Sequence, residues 1–191
     1  MFKPRLSSLQ RQLLPLDELC QYRPRLGEAA VLIGLLEHEH TIELILTQRA
    51  AHLFSHPSEV AFPGGKFEPA DRHLIATALR EAQEETSLCP ARASLLGALP
   101  ARYTHAGIRV TAIVAQVAKG AALVADPSEL SSIFSAPVTL FQTAQAARLD
   151  VIEQRGVRYR VPAYVHQGYN IWGLTASLAT EVAQRFLAEP R

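Results

Sequence analysis

Cysteine is scarce in this sequence, with Cys20 and Cys89 the only two among 191 residues. Two cysteines are too few for a disulfide framework and lack the close paired spacing of a zinc site, so we expect two reduced thiols in a reducing compartment, the cytoplasm. Long apolar runs are also missing: no stretch approaches the ~18 residues of a membrane span, and the N-terminus does not read as a secretion signal. The sequence therefore predicts neither secretion nor membrane insertion.

The chain has no excess of either charge. It carries 19 basic and 18 acidic residues, a formal net charge of +1, and is 48% hydrophobic. A balanced charge gives no global field that attracts nucleic acid or an anionic membrane, so phosphate recognition has to be local. The length and the apolar fraction suffice for one buried core. We expect a small-molecule partner, with no nucleic acid and no membrane.

The periodicity of apolar residues divides the chain into two parts. Residues 1–28 read as an N-terminal helical appendage that ends near Pro24 and Gly27, and residues 29–188 read as the main domain. Within that domain we predict a helix capped by Asp71 that starts near Arg72 and ends before Pro90. Five predicted strands and a C-terminal helix surround it, at residues 29–36, 42–47, 93–99, 109–117, 159–164 and 174–187.

Strands mixed with helices, without a regular βαβ rhythm, predict an α+β fold with a mixed sheet packed between helices. The residues of the N-terminal appendage leave three behaviours open. It packs on its own domain, it mediates a homodimer, or it frays.

Three glutamates and two glycines form the most informative pattern. Glu81, Glu84 and Glu85 are spaced i, i+3 and i+4, so their carboxylates share one face if the segment is helical. Taken alone, such a triplet is more often a solvated helix face. Gly64 and Gly65, however, come just before the helix and allow the backbone to approach a ligand closely. Carboxylates with one backbone carbonyl suit Mg²⁺ or Mn²⁺, so we predict a site for one of these ions.

Residues 65–88 resemble the Nudix box, in which a glycine precedes the run Arg-Glu-apolar-x-Glu-Glu-x-Gly-apolar by a fixed interval. Here residues 80–88 read REAQEETSL. The interval before the arginine is one residue longer than usual, which leaves Asp71 as the nearest candidate for the upstream acidic position of the box. Ser87 replaces the final glycine. The resemblance implies a Nudix-type α/β/α sandwich.

A second segment resembles the coenzyme A pyrophosphatase branch of that family. Residues 46–66 read LTQRAAHLFSHPSEVAFPGGK, and Ser58 stands where the branch signature has glycine. The branch shares the longer interval before the arginine. Residues 169–176, YNIWGLTA, resemble its Ile-Trp-Gly-x-Thr-Ala ending. The resemblance covers about residues 29–186.

The resemblance also implies roles for the acidic residues. By position in the box, Glu85 and Glu81 are the first expectations for metal ligands, followed by Glu84 and the carbonyl of Gly65. The family uses water instead of a covalent enzyme intermediate, and no Ser, Cys or His here stands in a recognisable nucleophile motif. One glutamate is expected to act as general base, with the choice among them open.

Four cationic or ionisable side chains complete the predicted site. Arg80 lies beside Glu81, so we expect it to orient a carboxylate; an ordinary surface ion pair is the alternative. Arg49 and Lys66 flank the glycine turn and are candidates to bind phosphate, including the 3′-phosphate of coenzyme A, with solvent-exposed bystanders as the alternative. His56 is a further substrate-binding candidate, against a structural role in its loop.

Five other residues receive a prediction. Phe62 and Trp172 are expected to fill the core in preference to stacking on a base. Glu129 is a candidate distal acid from outside the box, or else an acid at the start of a helix. Tyr103 and His105 are candidates to border the pocket.

These readings combine into one expected activity, metal-dependent hydrolysis of the diphosphate of coenzyme A or acyl-coenzyme A to 3′,5′-ADP and (acyl-)4′-phosphopantetheine. One alternative is hydrolysis of another nucleoside diphosphate derivative, such as NADH, ADP-ribose or a nucleotide sugar. Another is a catalytically silent Nudix domain that binds a nucleotide.

Overall fold

The computed structural model describes residues 3–38, 41–154 and 156–188. Its four helices are α1 Lys3–Arg11, α2 Leu16–Gln21, α3 Leu74–Thr86 and α4 Gly173–Leu187. Its strands are β1 Ala29–His38, β2 Thr41–Arg49, β3 Val60–Ala61, β4 Gly64–Lys66, β5 Ala93–Ala98, β6 Arg102–Tyr103, β7 Arg109–Val117, β8 Leu130–Pro137, β9 Arg148–Gln154, β10 Val157–His166 and β11 Tyr169–Ile171. Short 3₁₀ turns lie at Pro90–Arg92, Val138–Phe141 and Thr143–Gln145.

Eight strands form one mixed sheet whose main path is β3-β2-β1-β7-β5. The central pair β1 and β7 is parallel, whereas β2 and β4 run antiparallel to β1. Strand β6 pairs with β7 and strand β8 with β2. A second sheet of three antiparallel strands has the order β11-β10-β9. The predicted mixed sheet is confirmed.

Helices cover both faces of the large sheet, because β1 is apolar on both sides. Ile33 and Leu35 point into a core shared with α1 and α4. Ala30 and Leu32 point into the opposite core, which α2 and α3 close. Alternate side chains of a strand point to opposite faces, so this continuous apolar run belongs to a strand buried on both sides. The result is the expected α/β/α sandwich.

The N-terminal segment packs on the rest of the chain. Leu6, Leu9 and Leu13 are buried in the core beside α4. Leu14 and Ala98 exchange two backbone hydrogen bonds, of 2.8 and 3.0 Å, which tie the end of this segment to β5. The sequence leaves three behaviours open for this segment, and the structure shows the first of them, packing on its own domain. The domain boundary at residue 28 stays a prediction, and residues 1 and 2 lie outside the described ranges.

Helix α3 starts two residues later than the sequence predicts, and Asp71 is not its cap. His73 is the N-cap residue, and its side chain accepts a hydrogen bond from the amide of Ala76. Asp71 instead bonds to groups farther along the helix and in the preceding turn. At the other end Ser87 has φ 57°, the left-handed conformation that favours glycine, which explains why the family pattern has glycine there.

Among the helices that the structure describes, none combines the length and the apolar character needed to cross a membrane.

Candidate active site

The glycine turn lies against the central strand β1, which leaves no room for a side chain at Gly64. Gly64 and Gly65 belong to β4 and pair with Val31 and Ala30 of β1. A Cβ at Gly64 would lie 2.6 Å from the Cα of Val31 and would collide with the carbonyl of Ala30. A Cβ at Gly65 would collide with the carboxylate of Glu81. The backbone of β1 therefore requires glycine at residue 64, whereas a methyl group at residue 65 would displace the end of the Glu81 side chain.

Glu85 is the most deeply buried of the three predicted acids, with 4% of its surface exposed. Its Oε2 accepts a hydrogen bond of 3.0 Å from the amide of Gly64, which links α3 directly to the glycine turn. Burial, and to a smaller extent the charges of Glu129 and Glu81, raise the pKa of Glu85 to about 7. A buried carboxylate with one amide partner carries negative charge that a cation would offset.

Glu81 and Glu84 differ from Glu85 in exposure. Glu81 is largely buried beside Gly65, and burial raises the pKa of its carboxyl despite the adjacent Arg80. Glu84 lies on the solvent side, with 58% of its side chain exposed, and its Oε2 is 2.9 Å from Nη1 of Arg80. Helical spacing thus places all three on α3, but the structure brings only Glu81 and Glu85 against the glycine turn.

Arg80 connects the acids of α3 to the loop before it. Its Nη1 lies 3.0 Å from Oε1 of Glu81, and its Nη2 donates a hydrogen bond of 3.2 Å to the carbonyl of Lys66. Its Nε and Nη2 each donate to the carboxylate of Asp71 at 3.1 Å, a two-pronged pair that fixes the plane of the guanidinium.

Asp71 is buried beneath Arg80, where burial would raise the pKa of its carboxyl. Hydrogen bonds from Arg80, the Glu68 amide and the Thr77 hydroxyl outweigh that effect and lower this pKa. These contacts agree with the orienting role predicted for Arg80.

Glu129 lies outside the Nudix-box residues, and its charge acts on Glu81 and Glu85. The amide of Asp126 donates a hydrogen bond of 2.9 Å to the carbonyl of Glu85, and the amide of Glu129 bonds to the carbonyl of Asp126. The carbonyl of Glu129 in turn accepts from the amide of Ala50, just after β2. Its charge raises the pKa of both Glu81 and Glu85. The alternative of a helix-start acid is wrong, since Glu129 directly precedes strand β8.

The donor chemistry of this cluster fits a divalent cation. Glu81 and Glu85 supply carboxylates whose ionisation is disfavoured by burial, and Gly65 leaves the space that the Glu81 carboxylate occupies. Oxygen donors of this kind suit Mg²⁺ or Mn²⁺. As the side chains are placed, however, no three His, Cys, Asp or Glu residues in the described ranges are close enough to hold one ion. Nη1 of Arg80 contacts the carboxylates of both Glu81 and Glu84, at 3.0 and 2.9 Å.

The predicted cationic residues Arg49, Lys66 and His56 differ in their contacts and exposure. The charge of Arg49 lowers the pKa of Glu85, and its Nε donates a hydrogen bond of 3.4 Å to the carbonyl of Ser55. Lys66 lies at the end of β4 with an exposed side chain. His56 is also exposed, and its Nδ1 lies 2.8 Å from the carboxylate of Glu59. It lines a cleft of about 650 Å³.

The prediction for Phe62 is confirmed and that for Trp172 is wrong. Phe62 is buried in the core next to the glycine turn. Trp172 is 42% exposed and stands at the mouth of the cleft that His56 borders, together with the predicted pocket residues Tyr103 and His105. The contiguous apolar sequence around Trp172 suggests burial, but the turn into α4 directs the indole outward. Sequence reasoning missed Arg102, Tyr159 and Arg160, which line the same cleft and belong to no motif.

Comparison with known proteins identifies the family to which this fold and site belong. The sequence model of the NUDIX domain matches residues 25–155. An uncharacterized Nudix hydrolase NudL of Photorhabdus laumondii is 39% identical over 142 residues, which cover 74% of this chain and 76% of that protein. A NudL of Enterobacter sp. strain 638 is 37% identical over 85% of this chain and 84% of its own length.

Solved structures show the same fold at low sequence identity. A MutT/nudix family protein from Enterococcus faecalis aligns over 93% of this chain and 71% of its own, with a TM-score of 0.52 and 14% identity. An Ap4A hydrolase of C. elegans aligns over 59% of this chain and 81% of its own, with a TM-score of 0.51 and 18% identity.

The fold, the acidic helix and the glycine turn thus define a hydrolase of pyrophosphate bonds in nucleoside diphosphate derivatives, a class that generally needs divalent metal ions. The chain belongs to the Nudix hydrolase family.

Proposed function

We propose that this enzyme hydrolyses the diphosphate of coenzyme A or of acyl-coenzyme A, releasing 3′,5′-ADP and (acyl-)4′-phosphopantetheine. The observation that supports the substrate is the segment from Arg49 to Gly65, which carries the signature of that branch. The charge of Arg49 in this segment lowers the pKa of Glu85, and the amide of Gly64 near its end donates a hydrogen bond to Glu85. The residues that resemble a substrate signature therefore border the acidic cluster.

Glu81 and Glu85, with Glu84 and the carbonyl of Gly65, are the proposed ligands of Mg²⁺ or Mn²⁺. A bound divalent cation supplies positive charge against the diphosphate and lowers the pKa of water. Arg80 holds Glu81 in place through its own contacts with Asp71, which makes it a positioning residue in this proposal. Glu129 adds negative charge beside the ligands and is proposed as an acid from outside the box.

Arg49 and Lys66 stand on either side of the glycine turn and are proposed to bind the phosphates of the substrate. Both are cations near a site that otherwise collects carboxylates, and anionic substrates need such partners. His56 is proposed to border the bound substrate from the cleft side, with Glu59 fixing its ring. Cytoplasmic location and a homodimer stay predictions.

The testing experiment is cleavage of coenzyme A by the purified protein with Mg²⁺ or Mn²⁺, followed by mass identification of the products. Dephospho-coenzyme A, NADH and ADP-ribose serve as competing substrates. We expect preferred, metal-dependent cleavage of coenzyme A that Glu85→Gln reduces by orders of magnitude. Preferred cleavage of another diphosphate would discard the coenzyme A proposal, and silence on every diphosphate would favour a nucleotide-binding domain.

A second variant tests the phosphate contact. Arg49→Ala should raise KM for coenzyme A more than for dephospho-coenzyme A, because only the former carries the 3′-phosphate. Equal losses on both substrates would remove Arg49 from that role.

A further inference from the structure

A cleft of about 650 Å³ is lined by residues outside the Nudix box. Strand β3, strand β6, the middle of β10 and the start of α4 form its walls. Three large aromatic side chains on these walls, Tyr103, Tyr159 and Trp172, are 39–49% exposed. Exposed aromatic rings that face a concave site are uncommon outside binding surfaces, since burial of such rings would otherwise stabilise the fold.

Two residues that line the cleft are anchored close to the segment that leads to the glycine turn. Glu59 lines it, and the carbonyl of Glu59 accepts a hydrogen bond of 2.9 Å from the amide of Arg49, whose charge acts on Glu85. Val60 also lines it and is held to α4 by the hydroxyl of Thr175, which donates to the Val60 carbonyl at 3.1 Å. The segment between the cleft and Gly64 is therefore short and anchored.

The sheet register gives the span between cleft and glycine turn. Lys66 pairs with Ala29, Ala29 pairs with Val110, and Val110 pairs with Arg102 of the cleft wall. Three strand spacings separate Lys66 from Arg102, a backbone distance of about 14 Å. A ligand whose diphosphate lies at the glycine turn thus needs to extend across two strands, β1 and β7, to reach this wall of the cleft.

Two arginines and one glutamate, Arg102, Arg160 and Glu59, line the cleft along with its aromatic rings. Arg102 and Arg160 line both this cleft and an adjoining one of about 560 Å³, which Arg185 also lines. Glu181 holds Arg102 at 2.8 Å and Arg185 at 2.8 Å, so one carboxylate is shared by two of the three guanidinium groups. Planar rings beside guanidinium groups match a ligand that has a flat face and an anionic group.

We propose that the cleft binds the adenosine 3′-phosphate half of the substrate, with the base stacked on Trp172 and the phosphate near Arg160. Aromatic side chains stack on the flat face of any base. The pantetheine arm, by contrast, is flexible and has neither a flat face for an indole nor a charge for an arginine. The inference rests on the proposed function, because it names the subsite for one half of that substrate.

Trp172 is the only tryptophan of the chain, so its fluorescence reports on this cleft alone. The experiment is a fluorescence titration of the protein with 3′,5′-ADP and, separately, with 4′-phosphopantetheine. We expect saturable quenching by 3′,5′-ADP and little change with 4′-phosphopantetheine. Quenching by 4′-phosphopantetheine alone, or by neither ligand, would overturn the assignment.

Matched variants separate stacking from general damage. Trp172→Ala should weaken 3′,5′-ADP binding by about tenfold in calorimetry while Trp172→Phe retains most of it. Arg160→Ala should weaken 3′,5′-ADP more than AMP, whereas Arg158→Ala, on the same strand and outside the cleft lining, should change neither. Equal loss in Arg158→Ala and Arg160→Ala would contradict the subsite.

The two proposals fail in different ways. Cleavage of coenzyme A without quenching by 3′,5′-ADP would refute the cleft and leave the substrate. Quenching by 3′,5′-ADP in a protein that cleaves only other diphosphates would support the cleft and refute coenzyme A as the substrate.

Discussion

Replacing Glu85 by glutamine should stabilise the metal-free enzyme above neutral pH, although the same change is expected to remove activity. Glu85 is almost fully buried and has one hydrogen-bond donor, the amide of Gly64. Its neighbours Glu81 and Glu129 add repulsion. An amide side chain keeps the shape and an acceptor oxygen for Gly64 and carries no charge into this environment.

The size and sign of the effect follow from the pKa of Glu85. It rises from an ordinary 4.5 to about 7 in the folded chain. Between those values the unfolded chain binds fewer protons than the folded chain, so stability falls as the pH rises and the loss is complete above about 7. One pKa unit corresponds to about 1.4 kcal/mol, so the full loss is roughly 3 kcal/mol.

The assay is thermal unfolding with a chelator at pH 5 and pH 8, repeated with Mg²⁺. Glu85→Gln should melt well above the wild type at pH 8 without metal, where about 3 kcal/mol corresponds to about 6–12 °C. At pH 5 the two should nearly coincide, and Mg²⁺ should stabilise the wild type more than the variant.

Glu84→Gln is the matched control, because it removes the same charge from the same helix at an exposed position. We expect a change below about 1 kcal/mol there. An unchanged Glu85→Gln melting point at pH 8, or an equal gain in Glu84→Gln, would refute the reasoning from burial.

Three further substitutions test single contacts. Gly65→Ala should keep the fold by circular dichroism but reduce kcat about a hundredfold, because its methyl group displaces the carboxylate of Glu81; wild-type kcat would contradict this. Asp71→Asn should cost about 2 kcal/mol in urea unfolding at pH 7, because Arg80 loses a charged partner. The pKa of Asp71 is lowered in the folded chain, so its stabilisation is present above its ordinary pKa of 3.8 and is lost as the pH falls through the lowered pKa. The gap between wild type and Asp71→Asn should therefore narrow at acid pH, and a constant gap would count against this account. Ser87→Gly should stabilise by up to about 1 kcal/mol, because Ser87 has φ 57°; a lower melting point would reject that account.

Local sequence patterns predicted the elements that carry the site. Residues 109–117 form β7 with the predicted bounds, and α4 begins one residue before the predicted helix. The one-face arrangement of Glu81 and Glu85 followed from helical spacing alone. The start of α3 was predicted less well, because His73 and Asp71 are both able to cap a helix and only the contact of Asp71 with Arg80 decides between them.

The sequence by itself determined the family, the fold class and the acidic residues, since these depend on short spacings and on apolar periods of two or about four residues. On α3, Glu85 accepts a hydrogen bond from Gly64 of β4, whereas Glu84 faces solvent. Only the tertiary structure decided which of these acids is buried. It also decided that Glu129 acts on the same cluster and that Trp172 faces a cleft. Those contacts join segments far apart in the chain, and such distances leave no local pattern in the sequence.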